Sequence, residues 1–414
     1  MKKFYSLTVL LLGAFTTVLA QCDGNRYRNY VFTDVVSTTD IQYGENIDYQ
    51  GANTPLMMDI YEPAGDAATD RPLVIMCHGG YFLSGDKAAA DMLPLCEDLA
   101  RMGYVVASIN YRVGIPFGAS LEEPYGQAVV RAVQDLRAAI RWFRKDAAES
   151  GNTYRIHPDK IFTGGASAGG FMALHIAYMD ESEIPSWLDM SIAGLEGGLE
   201  GNSGNPGYSS DVQGIIPISG ALGDSDWIDA GDTTPACVFH GDADQTVTID
   251  SATFVLFGLI NVTTIEGSNY CVERMNQEGI ENCYHMTQGG GHVPYLGNPA
   301  VYDTTMSIMS NFLSHLVCDI PLDCEYRALS TSVDERDEVG LTIYPNPSHG
   351  SFQVLGLHEP TMVVVYDAMG RVVEQALLQP HQAMQLDIPA GMYLIKFGEG
   401  SGSKTYTLMV DEGY

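Results

Sequence analysis

Across residues 34–317, short apolar runs alternate with longer stretches of helical period. The runs "LMMDIYEP", "LVIMCHGG", "YVVASINYR", "KIFTGGAS", "GIIPISGA", "ACVFHGDAD" and "CYHMTQGGGH" read as strands. Several are apolar over most of their length, as strands covered on both faces must be. Val129, Val133, Leu136, Ile140 and Phe143 recur at steps of four and three, which predicts an amphipathic helix with its stripe on the sheet. A last helix is expected over residues 301–317. Strands alternating with helices give an α/β class: a mostly parallel sheet with helices on both faces.

Other segments break this rhythm. "LEGGLEGNSGNPGYSS" (residues 195–210) is rich in Gly, Ser and Asn, so a loop or a loosely ordered insertion is expected there. "DIPLDCEYRALSTSVDERDEVG" (319–340) is polar, charged and aperiodic, and reads as a linker. Beyond it, "LTIYPNPSHGSFQV", "TMVVVYDAMGRVV", "GMYLIKF" and "KTYTLMV" are short β-rich runs separated by turn residues, predicting a small all-β sandwich over 341–414. At the other end, "MKKFYSLTVLLLGAFTTVLA" sets two lysines before an apolar core and small residues. That reads as a secretory signal peptide over 1–20, leaving 21–318 as the main domain. No transmembrane segment is expected elsewhere.

Fifty-two acidic against 21 basic residues give a formal charge of −31, which repels nucleic acid and anionic membranes. The acidic "GDSDWIDAGD" (223–232) lacks the ordered ligand spacing of a calcium loop. Export makes disulfides available to the eight cysteines. Cys271 with Cys283, and Cys318 with Cys324, are expected as local bridges. Cys77 and Cys237 lie in apolar runs and read as buried thiols; Cys22 and Cys96 stay unassigned. No Cys/His spacing points to zinc.

Candidate chemistry centres on "TGGASAGGFMALH" (163–175). Ser167 lies between a strand and a helix, with Gly165 and Gly169 permitting a sharp turn that would lift its hydroxyl at the carboxyl edge of the sheet. The same small residues let a helix pack closely on a strand, the role read for Gly170 and Ala173. Upstream, "HGGYF" (78–82) follows a strand, and its glycines would let main-chain amides approach a developing oxyanion. Gly80, Tyr81 and Ala168 are the candidate donors, although which amides of residues 79–81 point inward stays open. Downstream, His292 can accept a serine proton and Asp244 can orient its ring. Asp242 is the competing acid, while His240 and His285 lie inside strand patterns and read as structural. Tyr81, Phe82, Trp187 and Trp227 are candidate substrate walls.

In order, "HGGYF", "GASAG", "HGDADQTV" and "GGGH" resemble the motifs of the α/β-hydrolase superfamily, in its esterase/lipase branch with an H-G-G oxyanion motif. The resemblance implies Ser167 as nucleophile, His292 as base and Asp244 as acid of a serine carboxylic-ester hydrolase that needs no cofactor. Tyr81 stands where many relatives carry a third glycine, which should narrow the acyl side of the pocket. A peptidase of the same superfamily and a binding protein on the same fold are the alternatives. The C-terminal runs resemble the type IX secretion sorting domain of Bacteroidetes bacteria, which implies the type IX machinery as partner and a secreted or cell-surface location. A carbohydrate-binding or adhesion sandwich is the alternative there. For such an enzyme the expected substrates are acetyl or feruloyl esters of polysaccharide, or polyesters, in an open cleft beside a Gly-rich insertion at about 180–214.

Overall fold

The computed structural model describes residues 21–330, except 117 and 119, and most of 342–410. The expected signal peptide lies outside the described residues. The chain divides into two compact units, Met1–Val333 and Asp334–Tyr414.

In the first unit the chain runs through β1 (Val35–Ile47), β2 (Asn53–Pro63), β3 (Arg71–Cys77), α1 (Leu93–Arg101), β4 (Val105–Ile109), α2 (Glu122–Glu149), β5 (Ile156–Ala166) and α3 (Ala168–Tyr178). It continues through β6 (Ile215–Ile218), β7 (Ala221–Leu222), β8 (Ala236–Gly241), β9 (Ser251–Leu256), β10 (Ile260–Gly267), α4 (Ser268–Glu278), β11 (Asn282–Thr287) and α5 (Pro299–Cys318). The main sheet has the order β1-β2-β4-β3-β5-β6-β8-β11. Its first two strands are antiparallel additions; from β4 to β11 all neighbours are parallel.

β3 shows why these runs carry no polar alternation. All of its residues are buried: Leu73, Ile75 and Cys77 point into a core shared with α2 and α3, while Val74 and Met76 point into one shared with α1 and α5. Each expected strand run forms a strand of this sheet. β1 was not anticipated, because as an edge strand it needs only one apolar face and its sequence is largely polar. Also unanticipated is the hairpin β9–β10, which with β7 forms a separate antiparallel sheet.

Other expectations change. Residues 195–210 are not loosely held. Leu195 and Leu199 are buried with Leu188 and Met179 against Val130 of α2. The side chains of Gln134, Arg137 and Arg141, from one face of α2, bind the segment at Leu195 O, Gly198 O, Glu200 and Gly204 O. The linker is shorter than its composition suggested. Residues 319–330 pack back on the first unit through Arg327, which donates to Asn311 Oδ1, Asn29 Oδ1 and Ser310 Oγ, and through a disulfide at Cys324.

The disulfides themselves are Cys22–Cys318 and Cys283–Cys324, not the two local pairs expected. Cys271 faces a separate core beneath α4, away from its expected partner, and remains a buried thiol together with Cys77, Cys96 and Cys237. Spacing in the chain could not reveal that β11 and the end of α5 meet different cysteines.

The second unit holds β12 (Thr342–Tyr344), β13 (Ser351–Leu355), β14 (Thr361–Tyr366), β15 (Val372–Leu378), β16 (Ala383–Gln385), β17 (Gly391–Phe397) and β18 (Lys404–Val410). They pair as two antiparallel sheets, β12-β13-β16 and β15-β14-β17-β18, over one core that includes Phe352, Val363, Val365, Ile395 and Leu408. Among the described residues no helix is long and apolar enough to cross a membrane.

Candidate active site

β5 runs straight into α3 with one residue between them. That residue, Ser167, has φ 55° and ψ −115°, a backbone conformation that costs a non-glycine residue roughly 1–3 kcal/mol. Two main-chain bonds hold it there: its amide donates to Ile218 O at the end of β6 (2.8 Å), and its carbonyl accepts from Phe171 N (3.0 Å). Gly165 and Gly169 are glycines because the first turn of α3 lies against the end of β3. A Cβ at either position would come within 2.3 and 2.0 Å of the Cys77 carbonyl.

The same approach brings the loop after β3 over the serine. A Cβ on Gly79 would lie 3.3 Å from Cβ of Ser167. The Gly79 amide is taken, donating to Asp91 Oδ2 at 2.7 Å. Gly80, Tyr81 and Phe82 then follow with φ of 123°, 57° and 59°. Among the described residues the amides of Gly80, Tyr81 and Ala168 have no hydrogen-bond partner. His78 braces the loop: its Nδ1 donates to Gly79 O (2.7 Å) and its ring stacks on Tyr111, whose hydroxyl donates to His78 O.

Downstream, the turn after β8 presents Asp244, whose Oδ1 accepts the Thr246 and Val247 amides at 2.8 and 3.0 Å. Its Oδ2 accepts from His292 Nδ1 at 2.7 Å. Burial pushes the Asp244 carboxyl up, but hydrogen bonds from His240 and His292 outweigh it and hold the group well below the usual carboxylate range. Asp242, the competing acid, instead accepts the Gly289 amide at 2.6 Å. The His292 loop hangs on the end of β6, where Val293 N donates to Ser219 Oγ (3.1 Å), the residue after the Ser167 anchor. The Ser167 hydroxyl and the His292 ring share no hydrogen bond with each other among the described residues.

The candidate walls divide. Tyr81 is partly buried and packs on Phe254 and Phe257 of the β9–β10 hairpin, at ring separations of 6.3 and 5.2 Å. Phe82 is no wall: it is fully buried, edge-on to Tyr125 and Phe171, and supports the floor instead. Trp187 and Trp227 line a cavity of about 550 Å³ together with Tyr125, Phe171 and His175. Phe171, His175 and Met179 recur at intervals of four, so the cavity runs along one face of α3; Ser167 itself is not among its lining residues.

Sequence reasoning missed His175, Phe254 and Phe257. Burial draws the His175 pKa down to about 4, outweighing its Nδ1 bond to Phe171 O (2.8 Å). The two phenylalanines were legible in the alternating β-rich pattern on either side of Phe257-Gly258. Among the described residues no three His, Cys, Asp or Glu side chains gather as a metal set.

Residues 58–222 match the BD-FAE family model, and residues 342–411 match the secretion system C-terminal sorting domain. Esterase-5C of Drosophila miranda is 27% identical over 165 residues, 40% of this chain and 27% of that protein. "Probable carboxylic ester hydrolase LipM" of Mycobacterium tuberculosis is 28% identical over 144 residues, 34% of this chain and 28% of that protein. The chain thus spans little more than a quarter of the length of these curated relatives. Among solved structures, Thermogutta terrifontis esterase 2 phosphorylated by paraoxon is 25% identical, covering 68% of this chain and 94% of its own at a TM-score of 0.48. Within the chain, the likeness to the BD-FAE family thus falls on residues 58–222 of the first unit, and that to the secretion system C-terminal sorting domain on residues 342–411 of the second.

Proposed function

We propose that this protein is an exported serine carboxylic-ester hydrolase with Ser167 as nucleophile, His292 as general base and Asp244 as the acid that orients it. The observation that carries the reading is the strained Ser167 at the β5–α3 junction, a conformation that packing alone would not require of a serine. Ala168 follows it directly, and Gly80 and Tyr81 continue the loop whose Gly79 lies against it; among the described residues these three amides have no partner, which suits an oxyanion. Asp244 accepts the Nδ1 proton of His292, which leaves Nε2 as the basic nitrogen. His292 takes the Ser167 proton as the hydroxyl oxygen bonds to the ester carbonyl carbon. It returns that proton to the departing alcohol, leaving an acyl-enzyme, and water activated by the same ring then releases the acid.

For substrate we infer small or polymer-linked esters, with acetyl and feruloyl groups on polysaccharide, or polyesters, as the class. An aromatic-walled cavity of about 550 Å³ with Trp187 44% exposed supports a cleft reachable by a polymer-borne group. Export through type IX secretion, by way of the C-terminal domain, accords with such a target. Ser167→Ala should lower kcat/KM on p-nitrophenyl acetate by about 10⁴-fold or more; a variant turning over at the wild-type rate would overturn the reading. A panel of acetyl, butyryl, palmitoyl and feruloyl esters tests the substrate class, and preference for palmitoyl would refute the open cleft. Cleavage of aminoacyl anilides in place of esters would mark a peptidase.

A further inference from the structure

The Asp244 carboxylate faces two histidines. Its Oδ2 lies 2.7 Å from Nδ1 of His292 and 3.3 Å from Nε2 of His240. His240 is fully buried near the end of β8, and both its ring nitrogens are engaged. Nε2 is 3.1 Å from the Val247 carbonyl and Nδ1 is 2.6 Å from Ser268 Oγ. A carbonyl only accepts, so Nε2 carries the ring proton and shares it between Val247 O and Asp244 Oδ2. Nδ1 shares a hydrogen bond with the hydroxyl of Ser268, a residue 1% exposed at the start of α4. With both nitrogens held, the His240 ring cannot turn.

Other charged groups near this pair are committed elsewhere. Asp242, in the same turn, binds the Gly289 amide; Glu266 of β10 accepts the Ser225 amide; Asp250, before β9, accepts from Asn269 of α4. On β11, the His285 ring lies beside Phe239. β6 supplies no charge, and His292 approaches from the loop after β11.

We propose that His240 is a positioning residue for Asp244 and, through it, sets the basicity of His292; this rests on the hydrolase reading above. A second N–H on Oδ2 spreads charge that would otherwise concentrate on the His292 bond. A weaker acceptor stabilises imidazolium less, so His292 stays neutral, and able to take the Ser167 proton, to lower pH. The same bond restrains rotation of the carboxylate and so keeps His292 Nε2 directed away from Asp244.

The test compares His240→Leu, which removes the donor, with His240→Gln, whose side-chain N–H can reach the place of Nε2. For His240→Leu, kcat on p-nitrophenyl acetate should fall about tenfold with KM within about twofold. The acidic limb of kcat/KM should move up by about 0.5–1 pH unit, and the low-field proton signal of the His292–Asp244 bond should shift. His240→Gln should restore all three. A folded Leu variant with an unmoved acidic limb, or a folded Gln variant no better than Leu, would reduce His240 to a core residue. If Leu does not fold, His240→Asn, whose amide reaches only the Nδ1 position, takes its place with the same two outcomes. Loss of the hydrolase reading would show separately, as turnover that survives Ser167→Ala.

Discussion

At the scale of single residues, the most consequential protonation outside the proposed triad is that of His175. It lies two turns along α3 from Ser167, lines the aromatic cavity, and stands edge-on to Trp227. With its folded pKa down to about 4 and an unfolded value near 6.5, folding favours the neutral ring. That contribution is fully present above pH 6.5 and is lost as the pH falls toward 4, about 3 kcal/mol in all. Thermal unfolding from pH 7 to 4.5 should therefore show a steeper loss for wild type than for His175→Leu; parallel curves would refute it. Other residue assignments differ in how legible they were. Ser167 with Gly165 and Gly169 could be found in the sequence, because a close helix–strand approach leaves only small residues. The fate of the Gly79 amide could not, because Asp91 reaches it across 12 residues of chain. Phe82 beside Tyr81 was misjudged for a related reason: successive residues with positive φ send one ring toward the hairpin and the other into the core.

At the scale of elements, α2 does more than cover the sheet. Its Asp135 meets Arg112, from the segment after β4, with both side chains fully buried. The guanidinium also donates to Ile47 O, Gly194 O and Ser203 Oγ, so one cation ties the end of β1, the helix and the insertion together. Arg112→Ala would leave Asp135 as a buried charge without its partner, and should cost about 3–5 kcal/mol in denaturant unfolding. A loss below about 1 kcal/mol would show the network to be dispensable. The apolar period of α2 was plain from sequence, while its polar face was invisible as structure, since charged residues at helical spacing ordinarily face water. The β9–β10 hairpin was overlooked because it pairs outside the main sheet, where no expected neighbour called for it.

For the whole molecule, the boundary between the units decides what can be removed. A protein ending at residue 333 should keep wild-type kcat/KM on p-nitrophenyl acetate within about twofold, since the second unit has a core of its own. One ending at 318 loses Cys324 and Arg327. The Cys283–Cys324 bridge closes a separation of 41 residues, for which chain entropy predicts about 4 kcal/mol. The shorter protein should thus unfold at a clearly lower temperature, and equal melting of the two would restore a linker starting at 319. By itself the sequence determined the α/β class, the parallel core and the order in which Ser167, Asp244 and His292 occur, because hydrophobic period and turn chemistry are local properties. Which cysteines join, where the linker starts, which amides stay unpaired and that Asp244 faces two histidines were decided only by tertiary structure. Each depends on segments far apart in the chain being brought together, and no local pattern encodes that meeting.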